Sequence, residues 1–299
     1  MMSLLLYIVG LAILCAGIYF VRKSDEKLNA VTYLIFTVVL FMIVQAVEAG
    51  IINRLPAVPI NAAVFGVLHI VEGAALWYVI IAKKYRQVYY FEIADVRALA
   101  VLAVFVVVAA VRQFGIGLDD FNFELSDSAR HLMYARAVAD HGQLINMYFS
   151  SLNSGLIMNM LRGSIGAFSF YRIFILFETG VLFLNGALFW GLIRRYLQDK
   201  VSIIIGVILT VAYMLGYPWN SMVFGTAYLS TSILCVTMIM FLMDIYLNNE
   251  AWSKILTAGL VVVSCYALLC SYSLFVPPVL GGIILLVLFK YVKEHSIPA

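Results

Sequence analysis

Long runs of apolar residues, barely interrupted by polar ones, make up most of this chain. Nine can be drawn: residues 3–21, 31–48, 62–82, 96–111, 170–193, 201–217, 227–247, 255–275 and 279–292. A bilayer core is crossed by about 20 helical residues. Inside it every backbone polar group must find its partner within the segment or a closed sheet. A soluble domain is about 45–50% apolar and about 25% charged. Here 64% of 299 residues are hydrophobic, 12% are charged, and the mean hydropathy is +1.02. That balance excludes a water-soluble enzyme, a disordered chain and a nucleic-acid binder. The predicted fold class is an all-α polytopic membrane protein of about nine transmembrane helices. One long outer loop bears interfacial helices.

Charge fixes the expected sidedness. The segments after the first, third, fifth, seventh and ninth runs carry 13 of the 19 basic residues, including all eight lysines. The positive-inside rule makes those segments cytoplasmic. The expectation is an integral cytoplasmic-membrane protein with its N-terminus outside and its C-terminus inside. Met1–Ser3 has no basic flank and no small-residue cleavage site follows, so the first run reads as a retained span. Cys15, Cys235, Cys265 and Cys270 all fall in runs and form no metal-binding pattern, so they read as packing residues. Pro277 and Pro278 read as a turn between the last two spans.

Residues 112–169 form the one long connection, and long loops within compact folds are usually functional. The segment holds five of the sixteen acidic residues and two of the four histidines. Its middle reads as a short helix capped by Ser126 or Asp127 and closed by Gly142. On that helix Asp127 and His131 share a face, flanked by Arg130 and Tyr134. Leu132, Ala135 and Ala139 line a different face. Residues 144–161, apolar with interspersed Asn and Ser, suggest a second interfacial helix. Asp119 and Asp120 stand just after the fourth span, where two adjacent carboxylates need water, a cation or a basic partner. Together with Asp127 and His131 they can bind a divalent cation such as Mg²⁺ or Mn²⁺. They can equally supply a general base for an acceptor hydroxyl. Solvated loop carboxylates, a helix cap at Asp127 and an ordinary interfacial His131 account for the same residues without chemistry.

Leu118-Asp119-Asp120, then Asp127 to Leu132, then Gly142, then a re-entering span near Arg172 resemble the first outer loop of bacterial GT-C polytopic glycosyltransferases. The segments 217–220 (Tyr-Pro-Trp-Asn) and 271–277 look similar to outer-face elements of such proteins. The resemblance covers roughly residues 97–278 and divides the chain into a three-span bundle, 1–95, and a GT-C-like core, 96–299. It implies a polyprenyl-phosphate-linked sugar donor and a glycan or lipid acceptor on the outer face. It also implies a catalytic Asp in the loop, which Asp119 or Asp120 matches by position. Members often carry a soluble C-terminal domain that this sequence does not include, so the chain fits a fragment, a reduced relative or a protein that keeps the architecture without the activity. Arg130, Arg136, Arg162 and Arg172 are the outer-side candidates for gripping the departing phosphate, since Arg matches its geometry bidentately. Interface anchoring explains these arginines as well. Trp219 is a candidate for stacking on a sugar and also fits an interfacial belt.

Inside the spans, His69 and Glu72 share a helical face and Glu178 sits in the fifth run. Ionisable residues at membrane depth point to function. These three define the alternative of a proton-linked transporter or lipid flippase; a non-catalytic membrane subunit is a third reading. Gln45 and Glu48 close the second span on the same side as the long loop.

Overall fold

The computed structural model describes all residues except 1, 22–26, 56–57, 86–87, 119–125, 146–148, 162–166, 198, 224–225, 249–253 and 296–299. It is an all-α polytopic membrane protein. Its helices are α1 (Met2–Phe20), α2 (Ala30–Ile52), α3 (Ala62–Lys83), α4 (Ile93–Phe114), α5 (Ser126–His141), α6 (Phe149–Leu161), α7 (Ala167–Arg194), α8 (Lys200–Leu215), α9 (Tyr217–Val223), α10 (Ala227–Asn248), α11 (Lys254–Tyr272) and α12 (Val276–His295). Eight helical stretches among the described residues are long and apolar enough to cross a membrane. The last runs from Lys254 to Lys293 and joins two expected spans through a 3-10 turn at Ser273–Phe275. Pro277 and Pro278 fall in the first turn of α12, not in a loop between helices. Proline is tolerated there because the first amides of a helix have no intrahelical acceptor. Along α12, Leu280, Ile284, Leu285, Leu288, Phe289 and Val292 are all exposed, as lipid-facing side chains are.

α2, α7 and α10 are the buried helices, and α2 packs on α7, α10 and α11. The core is therefore shared across residue 96. α1 and α3 form the most extensive helix pair, held in parallel register by glycines spaced seven apart. A Cβ on Gly10 would lie 2.5 Å from the Gly66 carbonyl oxygen, and one on Gly66 would lie 2.6 Å from the Leu6 backbone. A Cβ on Gly73 would meet Ile13 at 2.6 Å. Backbones this close are the usual route to helix association in lipid.

α5 and α6 form a hairpin at one end of the bundle, hereafter the hairpin end. Gly142, with φ of 64°, closes α5; its amide returns to the Val138 carbonyl at 3.1 Å. The Gly142 carbonyl accepts from the Ile60 amide at 3.0 Å, tying the hairpin to the loop before α3. α6, which its Ser and Asn suggest lies along an interface, is covered by protein on most sides. It touches α1, α2, α3, α5, α7, α10 and α11, and every residue from Phe149 to Leu156 is buried. Two of its polar side chains bond one turn back: Asn153 Nδ2 donates to the Phe149 carbonyl (2.8 Å) and Ser154 Oγ to the Ser150 carbonyl (2.7 Å). Gly155 lets α6 approach α5, since a Cβ there would stand 2.6 Å from the Ala135 carbonyl and 2.7 Å from Val138 Cβ. Gly155→Ala is expected to cost about 1–3 kcal/mol by overpacking, read as a lowered unfolding midpoint in detergent.

At the opposite end a short parallel pair joins β1 (Lys27–Asn29) to β2 (Val88–Tyr90). Asp95, fully buried at the start of α4, accepts from Asn29 Nδ2 (2.6 Å), Arg194 Nε (3.0 Å) and Trp190 Nε1 (3.3 Å). Arg194 also pairs with Glu92. Arg195 pairs with Asp244 of α10 at 2.9 Å.

Candidate functional site

His131 is the centre of the described part of the long loop. The sequence reading sets it apart from the apolar face of α5, but the structure places it within that face, with Ser128, Ala135, Val138 and Ala139. The 100° step per residue puts 128, 131, 135 and 138 on one stripe. The imidazole lies against the Tyr228 ring of α10 at 5.0 Å and meets Tyr134 edge-on at 6.0 Å. The contacts continue from there. Tyr228 meets Tyr272 (5.2 Å), Tyr272 meets Phe275 (5.1 Å) and Phe275 meets Tyr217 (6.0 Å). A row of rings thus joins α5 to α10, α11, the 3-10 turn and α9. It unites the long loop with the segments 217–220 and 271–277.

Asp127 stands one turn before His131, half-buried in the first turn of α5, where a carboxylate favours the helix dipole. Burial pushes the His131 imidazole down to about 4; Asp127 opposes that shift and Arg130 adds to it. His131 is therefore neutral near pH 7 and works as a hydrogen-bonding group, not as a cation. An unfolded chain takes up this proton near pH 6.5, whereas the folded protein refuses it until about pH 4. Stability should hold above pH 6.5 and fall by up to about 3 kcal/mol as pH drops from 6.5 towards 4. Unfolding midpoints in detergent across that window should fall less steeply for His131→Gln than for the parent protein. Equal slopes would remove this account of His131.

The other expected site residues separate. Arg130 is exposed beside His131. Arg136 points the other way, pairs with Asp140 at 3.6 Å, and lines a groove of about 450 Å³ with Met133 and His141. Arg172 is half-buried early in α7. Trp219 packs on Phe105 of α4 at 6.3 Å, so Tyr217, two residues earlier, takes the place beside Phe275. Asp119, Asp120 and Arg162 lie outside the described residues, and with them the expected cation site. The chain reaches Asp119 through Leu118, whose φ of 51° is left-handed, with its amide bonded to the Gly115 carbonyl at 3.1 Å. Non-glycine residues in that region often mark sites of function.

A second polar group lies deeper at the hairpin end. His69 and Glu72 of α3 are joined by Glu48 of α2, with His69 Nε2 3.0 Å from Glu48 Oε2. One turn before Glu48, Gln45 donates to Asn153 of α6 (2.7 Å) and accepts from the Tyr7 hydroxyl (2.6 Å). Glu178 is not part of this group; it accepts from Ser230 Oγ at 2.7 Å. The relay of His69, Glu72 and Glu178 is thus two separate groups. In the sequence Tyr272 and Phe275 stand out only as members of the segment 271–277, and Tyr228 only as an aromatic near the outer membrane boundary. Glu48 had a signal of its own, its i,i+3 spacing from Gln45.

Compared with protein-family models, curated proteins and solved structures, the chain matches none.

Proposed function

We propose that the chain is a GT-C-like membrane glycosyltransferase. It transfers a sugar from a polyprenyl-phosphate donor to an envelope acceptor at the hairpin end, which faces outward from the cytoplasmic membrane. The observation that carries this reading is the row of rings from His131 to Tyr217. It gathers the three stretches whose order resembles that superfamily, though they lie far apart in the chain.

The chemistry suits the groups present. A loop carboxylate, Asp119 or Asp120, accepts the proton of the acceptor hydroxyl as that oxygen attacks the anomeric carbon. The bond from that carbon to phosphate breaks, and the polyprenyl phosphate leaves with the electron pair. Arginine at 130 or 172 offsets the phosphate charge. Neutral His131 orients a hydroxyl or the carboxylate, and the rings offer an apolar wall to the sugar. The test is envelope-glycan transfer by Asn variants at Asp119 and Asp120 in membranes that retain folded protein. Unchanged transfer rejects the reading.

A further inference from the structure

The geometry points to a divalent transition-metal site formed by Glu48, His69 and Glu72, within the bundle and independent of glycosyl transfer. One donor atom from each lies within 4.8 Å of the other two. Zinc bonds to N and O donors are about 2.0–2.2 Å, which sets neighbouring donors about 3.4 Å apart in a tetrahedron. The three side chains need to close in by only about 1 Å to meet that spacing. His69 is fully buried and Glu48 nine-tenths buried. Glu48 Oε1, Glu72 Oε2 and His69 Nδ1 are buried with no hydrogen-bond partner among the described residues.

That arrangement is costly without a ligand. Glu48 and Glu72 stand in hydrogen-bond contact, and His69 is the only basic group recorded against them among the described residues, so holding both as carboxylates at membrane depth is costly. A dication makes the set neutral. One imidazole with two carboxylates suits Zn²⁺, Mn²⁺, Fe²⁺ or Co²⁺. Three protein donors leave a position open to water or another ligand.

The shell around the donors is built to hold them. Tyr7, Phe41 and Phe65 surround the His69 ring at 5.9, 4.9 and 5.7 Å. Gly66 and Gly73 bring α1 against the face of α3 that carries His69. Gln45, pinned between Tyr7 and Asn153, fixes the turn of α2 that presents Glu48.

The test uses the full chain in lipid nanodiscs, stripped with chelator and titrated with Zn²⁺, Co²⁺ and Mg²⁺. One equivalent of Zn²⁺ or Co²⁺ should bind, Co²⁺ giving visible ligand-field bands, with a raised unfolding midpoint. Glu48→Gln, His69→Gln and Glu72→Gln should each weaken binding by about 100-fold or more, beyond the effect of an outer-shell change. If a variant loses its helical circular dichroism, the Co²⁺ bands of the parent protein decide, and their absence overturns the assignment. Binding that all three variants retain also overturns it, as does Mg²⁺ binding as tightly as Zn²⁺. The transfer assay on Asp119 and Asp120 is separate, so each reading can fail alone.

Discussion

Replacing Asp95 by alanine should destabilise the folded protein by about 3–5 kcal/mol, the usual cost of removing one partner of a buried charge pair. Asp95 is fully buried and receives three donors, one from Asn29 and two from α7. Asn29 is also the N-cap of α2, accepting from the Thr32 amide at 3.0 Å. One carboxylate thus joins the starts of α2 and α4 to the end of α7. Its loss leaves the Arg194 side chain, only 11% exposed, with Glu92 and a carbonyl as partners. Asp95→Asn keeps the shape and should cost less than Asp95→Ala. Asp95→Leu with Arg194→Met should recover much of the loss, because an apolar pair carries no desolvation cost. Equilibrium unfolding in mixed micelles measures all three. A loss below 1 kcal/mol for the alanine variant would show that Asp95 does not hold this end together.

Asparagine at both Asp119 and Asp120 should lower sugar transfer by about 10²–10⁴-fold, the range a positioned general base supplies. Asparagine keeps the volume and most of the hydrogen bonding but accepts no proton. The single variants identify the base: one should approach the double variant and the other should stay near the parent. Asp127→Asn is the internal control. Its carboxylate sits at the start of α5, where it is worth about 0.3–1 kcal/mol to the helix, so its effect should appear in stability before rate. If both single variants and the double variant transfer sugar at the parent rate, the glycosyltransferase reading fails.

The spanning helices were legible because lipid leaves the backbone few options. The run at 3–21 became α1, Met2–Phe20, and that at 62–82 became α3, Ala62–Lys83. Where water-based expectations were applied the outcome differed. The Ser and Asn of α6 read as an interfacial face, yet Asn153 and Ser154 bond back to their own helix, while Asn153, Ser151 and Asn159 also bond to neighbouring helices inside the bundle. Pro277 and Pro278 read as a break, yet the start of a helix accepts them. The pairs His69–Glu72 and Gln45–Glu48 were visible as helical spacings. That Glu48 meets His69 was not, because it depends on how α3 docks beside α2. The row of rings is tertiary in the same sense, since Tyr228 and Tyr272 sit 97 and 141 positions beyond His131 in the chain.

The glycines between α1 and α3 also act as a vernier. Sliding one helix past the other by one residue shifts it 1.5 Å and turns it 100°. Gly10 and Gly66 would then face side chains instead of bare backbone. The same turn would swing His69 away from Glu48. The two helices therefore cannot creep along each other, and seven-residue spacing in an apolar pair sets the aim of an imidazole that neither glycine touches through its own chemistry.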